Sequence, residues 1–209
     1  MESRRDNKKS KIGGQPGKIV SPQDEIKPEG RYKEFKLGDL FEIKKGKRLT
    51  KADMIPGNIN FIGATDSNNG KTASIANNTH IHSGNTITVT YNGSVGNAFY
   101  QIEPFWASDD VNVFYPRFEM DELTALYFLA PLTKKGKQYA YDCKWTKEKM
   151  EGDTILLPID ASGNIDFKFM RSRIRELEEE RIRELEAYLK ACGFENTDLT
   201  PPKSGSYKN

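Results

Sequence analysis

The feature that most constrains this chain is a change of hydrophobic period at Asp166. From there to Cys192, the residues Phe167, Met170, Ile174, Leu177, Leu185, Tyr188, Leu189 and Cys192 recur on one side of a helix turning about 100° per residue. Arg173, Glu176, Glu178, Glu179, Glu180 and Arg183 occupy much of the remaining surface, and Glu179 stands one turn before Arg183, the spacing of a helical ion pair. Gly193 supplies a natural stop. A helix of about 25 residues is about 37 Å long, more than the preceding domain needs to cover one face. The stripe therefore predicts a second long helix as its partner, through Met170, Ile174, Leu177, Leu185, Tyr188 and Leu189. The sequence Arg173-Ile174-Arg175-Glu176-Leu177-Glu178 recurs at Arg181 to Glu186, a local echo with no wider repeat.

The 209 residues leave room for one domain beside this helix, and a hydrophobic fraction of 36% can supply its core. Residues 1–31 are rich in Lys, Gly, Pro and Ser without apolar periodicity, and read as a disordered basic arm. The domain spans 32–165. Its apolar block Phe35, Leu37, Leu40, Phe41 and Ile43 reads as strand into the basic loop that starts at Lys44. Ile59 to Ala64 reads as a strand, and Thr86 to Tyr91 alternates cleanly. Asn92-Gly93 turns that strand into an antiparallel return at Ala98 to Gln101. Val111 to Tyr115 alternates again. Leu123, Leu126, Tyr127 and Ala130 have helical spacing, with Asp121 as N-cap and Pro131 near the stop. Thr154 to Leu157 is a last buried strand. Many short strands with short helices predict an α+β fold: a compact domain on a mostly antiparallel curved sheet, then one long coiled-coil-type helix at 166–192 and a flexible tail at 193–209.

Several classes are excluded by composition. No apolar run is long enough to cross a bilayer, and no apolar stretch follows Arg4, Arg5, Lys8 and Lys9, so a cytoplasmic protein is expected. Cys143 and Cys192 are far apart, and with His80 and His82 they make a poor zinc set, so no metal and no cofactor are expected. The net charge of +2 hides a segregated distribution. Lys44, Lys45, Lys47, Arg48 and Lys51 form one basic loop; Lys134, Lys135, Lys137, Lys144 and Lys147 form a second cluster; residues 103–122 are acidic around Arg117 alone. Such a chain can turn one basic face to phosphates. The loop Asp66, Asn68, Asn69 and Lys71 offers groups for base edges, because an Asn amide can fork onto adenine and an acid can accept from cytosine. Trp145 among lysines could stack or wedge.

Residues 32 to about 192 resemble one half of the DNA-specificity (S) subunit of type I restriction–modification systems, in its single-recognition-domain form. The resemblance rests on ordered stretches: Phe35-Lys36-Leu37-Gly38-Asp39-Leu40-Phe41-Glu42-Ile43-Lys44-Lys45-Gly46-Lys47, then Thr90 to Ala98, then Phe105-Trp106-Ala107-Ser108-Asp109-Asp110-Val111, then Lys134 to Asp142, and Leu156-Leu157-Pro158 before the long helix. It implies a non-catalytic subunit that reads a half-site in double-stranded DNA. Tyr91 and Asn92, inside a matching stretch, join the base-reading candidates. Its helix would pair with a second one and dock a methyltransferase subunit, with a nuclease subunit joining for cleavage. With one recognition domain the chain is either a half-subunit that homodimerises on an inverted site, or a piece of a longer subunit. Two other readings remain: an assembly scaffold without DNA binding, and a metal-dependent nuclease drawn from Pro28-Glu29 followed by Glu42-Ile43-Lys44.

Overall fold

The computed structural model describes residues 31–139 and 143–194. Nine strands and four helices follow in the order β1 (Tyr32–Lys36), α1 (Leu37–Leu40), β2 (Phe41–Lys45), β3 (Pro56–Ile62), β4 (Lys71–Ile75), β5 (Thr86–Thr90), β6 (Ala98–Gln101), β7 (Phe105–Ala107), β8 (Val111–Pro116), α2 (Glu122–Gly136), α3 (Lys147–Gly152), β9 (Thr154–Pro158) and α4 (Phe167–Ala191). They form a four-stranded sheet in the order β2-β8-β5-β6, a three-stranded sheet β4-β3-β7 and the ribbon β1-β9. All pairings are antiparallel except β3 with β7. The α+β class read from the sequence is the observed one.

The expected single strand from Phe35 is broken by a helical turn. Leu37 and Leu40 both point into the core from α1, and the Leu37 N–H donates to Asp153 O at 2.8 Å. Two leucines three positions apart can enter one core from a helical turn, whereas a strand would send them to opposite faces. The alternation in β5 also misleads, because all five of its residues are buried. β5 lies inside its sheet, and its threonines are satisfied locally: Thr88 Oγ1 donates to Phe99 O at 3.2 Å and Thr86 Oγ1 to Ser83 O at 3.1 Å. A buried hydroxyl with a partner carries little penalty.

The main core gathers around Phe41, whose ring meets Phe114, Phe118 and Phe128 edge-on at 5.3–5.6 Å. α2 is capped as expected, with Asp121 accepting from Thr124 N at 2.8 Å, but it runs through Pro131 to Gly136. Proline removes one helical hydrogen bond. Here burial of Leu132 and Thr133 in the following turn carries the helix across that gap.

At Gly96 the turn after β5 meets the end of α2. Gly96 has φ +83°, and a Cβ built on it would lie 2.5 Å from the Gly136 Cα. No side chain fits between these two backbones. Gly96→Ala is expected to destabilise the protein by about 1–3 kcal/mol, with the left-handed φ adding to the clash, and thermal unfolding against the wild type checks this.

Candidate nucleic-acid interface

Backbone hydrogen bonds fix the first basic loop. As β2 ends, Gly46 N–H donates to Val111 O at 2.9 Å and Lys47 N–H to Ala107 O at 2.8 Å. Trp106 Nε1 donates to Lys47 O at 2.8 Å. The backbone is thus strapped to the β7–β8 connection, and the side chains of Lys47, Arg48 and Lys51 are left exposed. Arg48 reaches Asp109 at 3.5 Å. The next residue, Asp110, holds the turn after β5: its Oδ1 accepts from Asn92 Nδ2 at 2.7 Å and its carbonyl from Tyr91 N at 3.1 Å. A Cβ built on Gly93 would touch the Ala64 Cβ at 3.3 Å, placing the loop 63–70 beside this turn. Lys45 lies 3.9 Å from Glu148 of α3. Five segments remote in sequence therefore share one rim: 44–51, 63–71, 91–97, 107–111 and the start of α3.

Beside this rim lies an open groove of about 730 Å³ between β2, α1 and α3. Lys44, Lys45 and Lys147 line it, together with Lys36 and Arg117, which the sequence reading did not nominate. Arg117 was visible as the lone cation of an acidic stretch, but nothing local linked it to Lys44; the β2–β8 pairing does so. The acidic stretch itself is internal wiring. Asp109 and Asp110 hold the rim, and Asp121 caps α2 while pairing with Arg171 of α4.

The other nominated residues divide. Asp66 is exposed at its loop. Asn68 and Asn69 adopt left-handed conformations with φ of 50° and 51°, and their amides donate to Lys71 O at 3.0 Å and Tyr100 O at 2.9 Å. Both side chains are exposed, and each amide keeps a second N–H and its oxygen for a base edge. Lys71 and Tyr91 are half-buried at the same rim; burial first, then Asp110 and Asp109, pushes the Tyr91 phenol up, so its hydroxyl stays a donor at neutral pH. Lys144 and Lys147 flank the start of α3, and exposed Lys137 directly follows Gly136. Lys134 and Lys135 are not brought to the groove. They line a separate cavity of about 280 Å³ against Tyr32 and Tyr127, and Lys135 lies 4.0 Å from Asp153.

Three nominations are corrected. Trp145 is 0% exposed and cannot meet a base: its ring stacks on Tyr139 at 5.5 Å and its Nε1 donates to Asp153 Oδ2 at 2.6 Å. Asn92 is no free reader either, since its amide nitrogen holds Asp110 and its Oδ1 is buried without a partner among the described residues. Met170, 0% exposed, belongs to the domain's own core and not to a partner helix, and Ile174 packs against that core too. His82 is held by structure as well: its ring stacks on Phe105 at 5.5 Å and its Nδ1 lies 2.8 Å from the Tyr115 hydroxyl. Burial, then Lys44, lowers its pKa. No group of three or more metal-binding side chains stands together among the described residues.

Asp153 closes the segment between α2 and α3. Its Oδ2 accepts from Tyr139 Oη at 2.7 Å as well as from Trp145. Burial, the hydrogen bond and the carboxylate charge push the Tyr139 phenol up to about 12. The neutral phenol is the donor, so this contribution to stability is complete below the ordinary tyrosine pKa of about 10 and is lost as pH rises toward about 12. Urea unfolding should find Tyr139→Phe less stable than wild type at pH about 8, with the gap narrowing as pH rises above about 10; a gap independent of pH contradicts the assignment.

Comparison with known proteins adds the lineage. The type I restriction modification DNA specificity domain family matches residues 29–187. A curated relative, the specificity subunit S.BcgI of the type II restriction enzyme BgcI from Heyndrickxia coagulans, is 38% identical over 148 residues, 70% of this chain and 43% of the relative. Among solved structures, the S subunit of a type I restriction-modification system from M. genitalium aligns with TM-score 0.54 and 18% identity over 78% of this chain and 42% of that one. The HsdS subunit from Thermoanaerobacter tengcongensis aligns with TM-score 0.54 and 14% identity over 88% and 43%. A chain of a type I R-M system, solved for its complex assembly and conformational transition, aligns with TM-score 0.57 and 13% identity over 86% and 43%. These likenesses establish the fold, and the chain spans less than half the length of the relatives it matches. With the family matched across residues 29–187, most of its length, this chain belongs to the type I restriction modification DNA specificity domain family.

Proposed function

We propose that residues 32–165 read a short half-site in double-stranded DNA and that the helix at 166–192 joins this reader to a second helix and to a methyltransferase subunit, with a nuclease subunit recruited for cleavage. The chain itself is the non-catalytic specificity component and needs no cofactor. The observation that carries the reading is the rim: cations and short polar side chains from remote segments converge there on rigid supports. Cations suit the phosphates, which position a protein on the duplex; Asp66, Asn68 and Asn69 suit base edges, which specify sequence. For the nuclease alternative, Glu42 lies 3.3 Å from Lys44, and Pro28 and Glu29 lie outside the described residues.

The helix supports the second half of the proposal. Asp166 caps it, accepting from Phe169 N at 2.8 Å. It ends at Gly193, where Gly193 N–H donates to Lys190 O at 3.0 Å and Phe194 N–H to Leu189 O at 3.1 Å. Its root is fastened by Met170, Ile174 and the Arg171–Asp121 pair. Beyond the root the stripe lies open among the described residues: Leu185 is 48% exposed and Tyr188 65%. Leu177 and Leu189 continue the same face. No described helix is long and apolar enough to cross a membrane. The proposed limits of arm and tail, 1–31 and 193–209, fall mostly outside the described residues.

Selection of bound duplexes from a random pool, with and without a co-purified adenine methyltransferase subunit, tests the proposal: a recurring half-site is expected, doubled and inverted if the chain homodimerises. A pool that stays random in both arms contradicts it. Replacing Lys45, Lys47 and Arg48 together by alanine should weaken binding to selected and random duplexes alike, and flatten the salt dependence. Leu185→Asp with Tyr188→Asp should abolish self-association while leaving the domain's unfolding midpoint unchanged, as light scattering and thermal melts will show. Ile174→Asp, by contrast, should lower that midpoint.

A further inference from the structure

Three of the five cations that line the groove are answered by carboxylates. Lys44 Nζ lies 3.3 Å from Glu42 Oε1, Lys45 Nζ 3.9 Å from Glu148 Oε1, and Lys147 Nζ 3.4 Å from Glu151 Oε1. These carboxylates come from β2 and α3, which pack together and line the same groove. Their side chains are 43–71% exposed. Exposed pairs contribute little to stability, so the fold does not require them. Glu148 is firmly ionised: hydrogen bonds from its own N–H and from Thr146, then Lys45 and Lys147, hold its carboxyl below the usual range.

We propose that Glu42, Glu148 and Glu151 are an electrostatic brake that holds down the affinity of the groove for phosphates and so keeps the chain from being trapped on random DNA. The inference rests on the DNA-reading function proposed above. A phosphate that reaches Lys44, Lys45 or Lys147 either shares the ammonium with a carboxylate or displaces it, and in both cases lies beside that negative charge. A displaced carboxylate also draws a salt cation back, cancelling part of the counterion release that drives phosphate binding. Base edges at Asp66, Asn68 and Asn69 are untouched by this exchange. The brake therefore acts on the term common to every sequence, which governs how long the chain stays at a wrong site. Lys36 and Arg117, with no ion-pair partner among the described residues, keep the groove attractive at long range.

The test compares three proteins as full chains on a selected and a random duplex across a salt series: wild type, Glu42→Gln/Glu148→Gln/Glu151→Gln, and Glu34→Gln/Glu103→Gln/Glu119→Gln. The last removes the same charge from exposed carboxylates that pair with no cation among the described residues. The groove variant is expected to bind both duplexes about ten-fold tighter, about two-fold per carboxylate removed, to leave random DNA correspondingly more slowly, and to show a steeper salt slope. The control should change affinity less than about two-fold. Equal gains in the two variants, or none in the groove variant, overturn the brake and leave the DNA-reading function standing. A wild type that binds neither duplex at low salt removes that function and the brake with it. Should the triple variant fold poorly by thermal melt, Glu148→Gln alone must still give its about two-fold gain.

Discussion

A close backbone approach at the proposed interface, Gly96 against Gly136, organises what surrounds it. Two chain segments meet there without side chains between them, so the turn 91–97 has one position relative to α2. From that turn, contacts run outward: Asn92 to Asp110, Asp109 to Arg48, Gly93 to Ala64. α2 is in turn joined to α4 through Asp121, which caps one helix and holds Arg171 of the other. Reading surface and protruding helix are thereby referred to the same element. On the proposed function, a subunit that presents a reading surface to DNA and a rod to a partner needs that fixed relation, because freedom between them would blur any spacing the pair imposes on DNA.

Charge follows the same economy of position. The chain is nearly neutral, and its basic segments look attractive to phosphate when read alone. In the fold they meet carboxylates, two of them neighbours in sequence, in Lys44 with Glu42 and Lys147 with Glu151, and two from remote segments, in Lys45 with Glu148 and Arg48 with Asp109. The surface is thus neither a plain basic patch nor an inert one. Exposed pairs cost little to break, so a duplex with its dense line of phosphates can compete for them where an isolated anion competes poorly.

What was legible in the sequence is local. The long helix, its Asp166 cap and its Gly193 stop are written in neighbouring residues, as are the Asp121 cap and the hairpin around Asn92-Gly93. What was hidden depends on remote partners. Lysines on both sides of Trp145 suggest an exposed ring, yet Tyr139 and Asp153 enclose it. Helical period placed Met170 on the apolar stripe correctly, but period cannot say who covers a stripe; the root is taken by the chain's own core and only the outer turns are left for a partner. α3 carries four charges in six residues and forms because Met150 is buried, a fact no local pattern announces. The parallel pairing of β3 with β7 is equally non-local.

The central claim is that segments far apart in sequence form one DNA-facing rim while the outer helix faces protein. Amide hydrogen exchange of the full chain, with and without a selected duplex, tests it most directly. The account predicts that duplex slows exchange together at 46–51, 65–71 and 91–97, with the turns of the helix beyond Leu177 unchanged by DNA at constant oligomeric state. Protection confined to the helix, or scattered over the β1-β9 ribbon with the rim unaffected, would contradict it.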